Sequence, residues 1–145
     1  MKTINDSMVL DHRRCDELFI EMEQAILQHK WPEANRLCQE FTASMEHHFK
    51  IEEELLFPAL EAASPQASGP INMMMLEHDQ MRHLMSQLTS SLDNMTNTLS
   101  AGYIDTLLVT MQQHNMKEEN ILYPLADSAV PDVAKNIAKA FAESS

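Results

Sequence analysis

The sequence predicts an all-α fold, an antiparallel up-and-down four-helix bundle with a short C-terminal helix, and three observations lead to it. Apolar residues recur at 3.6-residue spacing through four long stretches, and no segment alternates with period two over the length of a strand. Breaks between the stretches are few, because the chain carries only 2 Gly and 6 Pro among its 145 residues. The two halves of the chain also repeat one another, so the bundle is expected to consist of internally duplicated helical hairpins. Long helices joined by short loops pack as antiparallel neighbours.

The first helix is expected from about Asp6 to His29, capped by Ser7 or Asp6, with Met8, Cys15, Phe19, Met22 and Ile26 as its apolar stripe. Trp31-Pro32 interrupts it, and Pro32 suits the first turn of a second helix that runs to about Ala62 and kinks or weakens at Pro58. Ala63-Ser64-Pro65-Gln66-Ala67-Ser68-Gly69-Pro70 reads as the clearest loop. A third helix follows from about Ile71 to Met95. Leu99-Ser100-Ala101-Gly102 reads as a turn, and a fourth helix covers about Tyr103 to Ala126. Pro131 opens a tail helix with Val133, Ile137 and Phe141 on one face. One domain over residues 1–145 is expected, with hairpins at about 6–62 and 70–126 and the tail at about 131–143.

The repeat has an offset of 66 residues. It relates His12 to His78, His48 to His114, Glu52 to Glu118 and Pro58 to Pro124. Each hairpin thus has one His on its first helix and a His-x-x-x-Glu on its second. A lone His-x-x-x-Glu is an ordinary surface ion pair, worth about 0.2–0.5 kcal/mol. Surface pairs have no reason to keep register with a partner hairpin, whereas residues converging on a shared centre do.

Imidazole and carboxylate are ligands for divalent first-row metals, and bundle helices can aim them inward. Four His and two Glu are too many for one tetrahedral zinc and too few to fill two octahedral ions. If both carboxylates bridge, two ions each keep two terminal His and retain positions for an outside ligand. Mn and Zn accept the same donors.

The ordered pattern His12, His48-x-x-x-Glu52, His78, His114-x-x-x-Glu118 resembles the hemerythrin-like (HHE cation-binding) domains, over about His12 to Pro124. The resemblance implies a four-helix bundle with two iron ions, Fe2+ or Fe3+, joined by an oxo, hydroxo or water bridge. It further implies that Glu52 and Glu118 bridge them while His12, His48, His78 and His114 are terminal ligands. Oxygen-carrying hemerythrins have a fifth His where this sequence has Arg82, which stays protonated and cannot ligate. His83 lies about 140° further round the helix from His78. Hemerythrins proper place the second bridge at the position of Glu119, while the repeat selects Glu118. The function this implies is binding or sensing of a small diatomic ligand, dioxygen or nitric oxide. The alternatives are a non-haem iron oxidoreductase acting on nitric oxide or peroxide, and labile-iron storage or delivery including repair of iron–sulfur centres. No catalytic residue is designated.

The remaining composition narrows the partners. A formal charge of −12 argues against nucleic acid, which requires a basic footprint. Two Cys make no disulfide framework. No run of apolar residues has the length of a signal peptide or membrane span, so a cytoplasmic protein without membrane contact is expected. Its 12 Met are expected mainly as core filler, with Met8, Cys15, Phe19, Met45, Leu56, Met74, Met81, Met85, Met111 and Leu122 as walls near the donors. Asp11 and Glu77, which precede equivalent His residues, are candidates to support the His ligands or to transfer protons, with solvated acids as the preferred expectation. Tyr123, counterpart of Phe57, is a candidate to donate a hydrogen bond near the site, with packing at the helix end as the preferred expectation, and His29 and His47 are expected at the surface.

Overall fold

The computed structural model of the chain describes residues 2–94 and 97–143, and all regular structure among them is helical. α1 (Ile4–Leu27) starts earlier than the sequence suggests because Thr3 is its cap. The Thr3 hydroxyl accepts from the Asp6 amide and the Asp6 carboxylate accepts from the Thr3 amide, both at 3.0 Å. Asp6 therefore completes a capping box instead of being the cap, and Ser7 is a buried helical residue. Two more first-turn amides, of Ile4 and Asn5, donate to the Asp127 carboxylate at 2.8 and 3.1 Å, tying the start of α1 to the helix at Tyr123–Ala129. The helix ends with His29 in the left-handed region (φ 56°), exposed and stacked on Trp31.

α2 (Trp31–Ile51) begins with Pro32 in its first turn, as expected. It does not simply kink at Pro58. Residues Glu52–Leu56 form a π-helical turn, closed by the Phe57 amide donating to the Glu52 carbonyl, before α3 (Phe57–Ala63) resumes. In a regular helix the Pro58 ring would strike the Glu54 carbonyl, and the wider turn relieves that collision. The second hairpin repeats this: α5 (Asn97–Lys117) passes into a π turn at Glu118–Leu122 and then α6 (Tyr123–Ala129), immediately around Pro124.

Two expected breaks shift. The loop at 63–70 shrinks to Ser64 and a short 3-10 turn at Pro65–Ala67, because α4 (Ser68–Asp93) absorbs Gly69 and Pro70 into its first turn, where a missing amide costs nothing. The turn expected at Leu99–Gly102 is helical and part of α5. Burial of Ser100 and Ile104 offsets the cost of Gly102 within the helix, about 1 kcal/mol, and the Ser100 hydroxyl lies 2.8 Å from that of Ser91 on α4. α4 is capped at Asn94, while Met95, expected to end it, lies outside the described residues. A 3-10 turn (Pro131–Val133) leads to the tail helix α7 (Ala134–Ala142).

α1 packs on α2 and α5, and α4 packs on α5 and α2, which closes a four-helix ring with α7 folded back on α1. None of the helices is long and apolar enough to cross a membrane. The apolar interior divides into two clusters. One holds Phe19, Phe41, Leu88 and Leu107, and the other Ile4, Leu60, Ile71 and Ile137. Between them, on every helix of the ring, stands a layer of buried polar residues: His12, His48 and Glu52, His78, and His114 and Glu118.

Candidate metal centre

All six residues singled out by the repeat are buried, none more than 5% exposed. His12 comes from α1, His48 from the last turn of α2, His78 from α4 and His114 from the last turn of α5. Glu52 and Glu118 each open a π turn. The imidazole Nε2 atoms face this carboxylate pair. His78 Nε2 lies 3.0 Å from Glu52, His12 and His114 Nε2 each lie 3.2 Å from Glu118, and His48 Nε2 lies 3.6 Å from Glu52.

Every Nδ1 atom faces outward to a second carboxylate. His48 meets Asp11 at 2.8 Å and His114 meets Glu77 at 2.8 Å. His78 meets Glu53 at 2.7 Å and His12 meets Glu119 at 2.6 Å. These partners repeat at the same offset, Asp11 with Glu77 and Glu53 with Glu119. An ionised carboxylate only accepts, so each Nδ1 carries a proton and donates outward, which leaves Nε2 as the atom facing the centre, the one a metal-ligating histidine uses once its own proton is displaced. Asp11 and Glu77 are thus orienting groups, not solvated acids. The Glu119 carboxylate supports His12, while Glu118 lies inside. The sequence reading missed Glu53 and Glu119 in this role, although both stand beside a repeated Glu.

Cations back three of these pairs. Arg14 binds Asp11 at 2.8 Å, Lys117 binds Glu77 at 2.6 Å and Arg82 binds Glu53 at 3.1 Å. Arg82 also lies over the Phe49 ring, 5.1 Å from its centroid, and His83 is exposed. Glu119 has no salt bridge to Arg or Lys among the described residues.

Electrostatics follow from this nesting of charges. Burial drives His48 toward its neutral form, but the charge of Glu52 and hydrogen bonds to Asp11 and Glu52 prevail and push it up to about 10. Burial likewise opposes a charged His114, but Glu118, Glu52 and Glu77 outweigh it and push this His up to about 9. For Glu52, burial favours the acid, yet the His48 charge and the hydrogen bonds around it hold its pKa well below the usual range. Burial works against Asp11 and Glu77 too, and their imidazole and cation partners still lower them. The hydrogen bond from His12 is the main cause of the lowered pKa of Glu119.

The two halves of the centre differ in how their inner atoms are satisfied. His78 Nε2, His114 Nε2, Glu52 Oε1 and Glu118 Oε2 are buried without a hydrogen-bond partner. Donor atoms of these four residues all lie within 4.8 Å of one another. Buried polar atoms are rarely left so, and four together that offer two nitrogens and two oxygens fit a divalent metal ion. His12, His48 and Glu118 form a second such group. On that side the Tyr123 hydroxyl enters the centre, donating to Glu52 Oε2 (2.6 Å) and Glu118 Oε1 (2.8 Å) and lying 3.1 Å from His12 Nε2. Tyr123 therefore does more than pack at a helix end. Its counterpart Phe57 stacks beside His78, with ring centroids 5.9 Å apart.

The wall residues expected around the donors are all buried. Cys15 is one of them, its thiol pushed up to about 12 by burial, so it stays protonated and apolar in character. His29 is exposed and His47 half-buried, both apart from the centre.

A four-helix bundle whose core holds a duplicated His and Glu set defines a class of cation-binding domain. The family described as Hemerythrin HHE cation binding domain matches residues 3–126, and the chain belongs to it. Among curated relatives, the iron-sulfur cluster repair protein YtfE of Enterobacter sp. (strain 638) is 34% identical over 88 residues, covering 54% of this chain and 40% of that protein. The proteins of the same name from Escherichia coli O81 (strain ED1a) and Escherichia fergusonii are 34% and 33% identical over the same shares. Only two fifths of the length of these relatives is thus spanned by the match. No solved structure matches the chain.

Proposed function

We propose that the chain holds two iron ions between its hairpins and binds or senses a small diatomic ligand, dioxygen or nitric oxide. His12 and His48 hold one ion, His78 and His114 the other, and Glu52 and Glu118 bridge them. The observation that carries this reading is the set of four inward Nε2 atoms around two carboxylates in a layer no more than 5% exposed. Burial on this scale excludes bulky substrates. Iron, when bound, supplies reversible electron donation to such a ligand.

The protein's own residues set the conditions. The outer carboxylates hold each ring in one tautomer and orientation. Four neutral imidazoles with two carboxylates carry less negative charge than the Glu-rich sites of ferritin-like proteins, which favours the ferrous state. Apolar clusters on either side keep water from the layer.

The relatives' printed name favours a second reading, in which the same centre gives up iron for repair of iron–sulfur clusters. Anaerobic loading with ferrous iron, metal counting, and optical spectra before and after nitric oxide or air test both. Two irons per chain and reversible spectral changes with little product support binding or sensing. Sustained consumption of nitric oxide or peroxide points to an oxidoreductase, and ready transfer of iron to an apo acceptor points to delivery. His48→Ala and Glu118→Ala should each lower the iron count while helicity stays near wild type. Full occupancy in both variants refutes the ligand set.

A further inference from the structure

The repeat equates Tyr123 with Phe57, so one hairpin brings a hydroxyl where the other brings only an apolar ring. That hydroxyl is fully buried and reaches four inner donor atoms: Glu52 Oε2 at 2.6 Å, Glu118 Oε1 at 2.8 Å, His12 Nε2 at 3.1 Å and His48 Nε2 at 3.3 Å. A single phenol proton satisfies one or two of these contacts, not four. Neighbouring vertices of an octahedron built on bonds of about 2.1 Å are about 3.0 Å apart, and each vertex has four such neighbours. Tyr123 Oη has four neighbours at that spacing. The neighbours are also close to one another, His12 Nε2 to Glu118 at 3.2 Å and His48 Nε2 to Glu52 at 3.6 Å. An oxygen placed at the middle of the four, instead of at a corner beside them, would need them further apart.

We propose that Tyr123 is a seventh metal ligand, binding the ion held by His12 and His48 and making the two cation positions chemically unequal. Coordination replaces the O–H bond by an O–metal bond, and the proton leaves to buffer. The outer sphere is unequal in the same sense. His12, on the Tyr123 side, leans on Glu119, which has no salt bridge to Arg or Lys among the described residues, whereas the other three outer carboxylates each have one. On the other side Phe57 offers no donor, so His78 and His114 keep the coordination positions that an outside ligand can take.

The inference rests on the di-iron reading, and one experiment separates their failures. Wild-type protein and Tyr123→Phe are loaded with ferrous iron, oxidised in air, counted for iron and measured by visible absorption and resonance Raman scattering. Phenolate bound to ferric iron gives a visible charge-transfer band and enhanced tyrosinate vibrations. The expected result is both signals in wild type and neither in Tyr123→Phe, with at least one iron still bound to the variant. The chain has 2 Tyr, and Tyr103 packs against the cluster that holds Phe19 and Phe41, so the assignment is direct. Wild type binding two irons without tyrosinate vibrations overturns the inference alone, as does persistence of the signals in Tyr123→Phe. Wild type that binds no iron overturns the di-iron reading and this inference with it.

Discussion

Replacing Asp11 by Asn keeps the shape of the side chain and removes the charge that orients His48. In the structure Asp11 is buried, its Oδ2 2.8 Å from His48 Nδ1 and its Oδ1 2.8 Å from Arg14. Loss of such an outer partner typically costs a metal site about 10–100-fold in affinity, or roughly 1.4–2.8 kcal/mol. The neutral amide still accepts from Nδ1, which places the expected loss toward the lower end of that range. If His48 serves one ion and His114 the other, as proposed, Asp11→Asn should weaken one of two binding steps, and Glu77→Gln the other. A chelator competition titration under anaerobic conditions resolves the two steps. The double variant should weaken both, with losses adding across sites that share no outer partner. Both steps unchanged within twofold in either single variant, at unchanged helicity, would refute the claim that these carboxylates tune the rings.

Further outcomes follow from the same geometry. Glu118→Gln should abolish one or both ions, whereas Glu119→Gln should cost only about 10–100-fold on the ion that His12 serves, as metal counting and titration will tell. His48 and His114, raised to about 10 and 9, are protonated in the metal-free chain at neutral pH. Metal loading there should release protons, and affinity should fall as pH drops, about tenfold per unit for each proton displaced. With pKa values above the ordinary 6.5, these two His stabilise the metal-free fold fully below that value and lose their contribution as pH rises through about 9 and 10. The melting temperature of metal-free protein should therefore fall over that alkaline range. Phe41→Ala, at a fully buried position far along the bundle from the centre, should cost about 3–5 kcal/mol and lower the melting temperature by on the order of 10 °C. Metal stoichiometry measured well below the new midpoint should not change.

The inner set was readable from the sequence because duplication puts each donor in a fixed place on a regular helix. The outer set was less readable. Glu53 follows Glu52 by one residue, which on a regular helix turns it about 100° away, and its engagement with His78 depends on how α2 meets α4. Hydrophobic periodicity likewise carries no sign of a π turn, since Pro58 and Pro124 announce a disturbance without its form. For Tyr123 the sequence offered a hydrogen bond near the site but favoured packing, because chemical type says nothing about depth, and its position just past a π turn is what carries the hydroxyl inward. The early starts of α4 and α5 came from Gly69, Pro70 and Gly102, residues that break helices inside but are tolerated in a first turn or where neighbours compensate.

The polar layer also cuts the hydrophobic interior in two. Each half has its own packing, and with the proposed ions in place the boundary would gain much of its cohesion from them, since binding free energy at such a site is folding free energy. A chelator thus acts on the joint between two mechanical units: stripped of its ions, the bundle should soften first at its waist, with α7 and the start of α1 loosening before the far end does. Occupancy would then be legible at the surface where those segments meet, since Phe141 of α7 lies against His48 with ring centroids 5.9 Å apart.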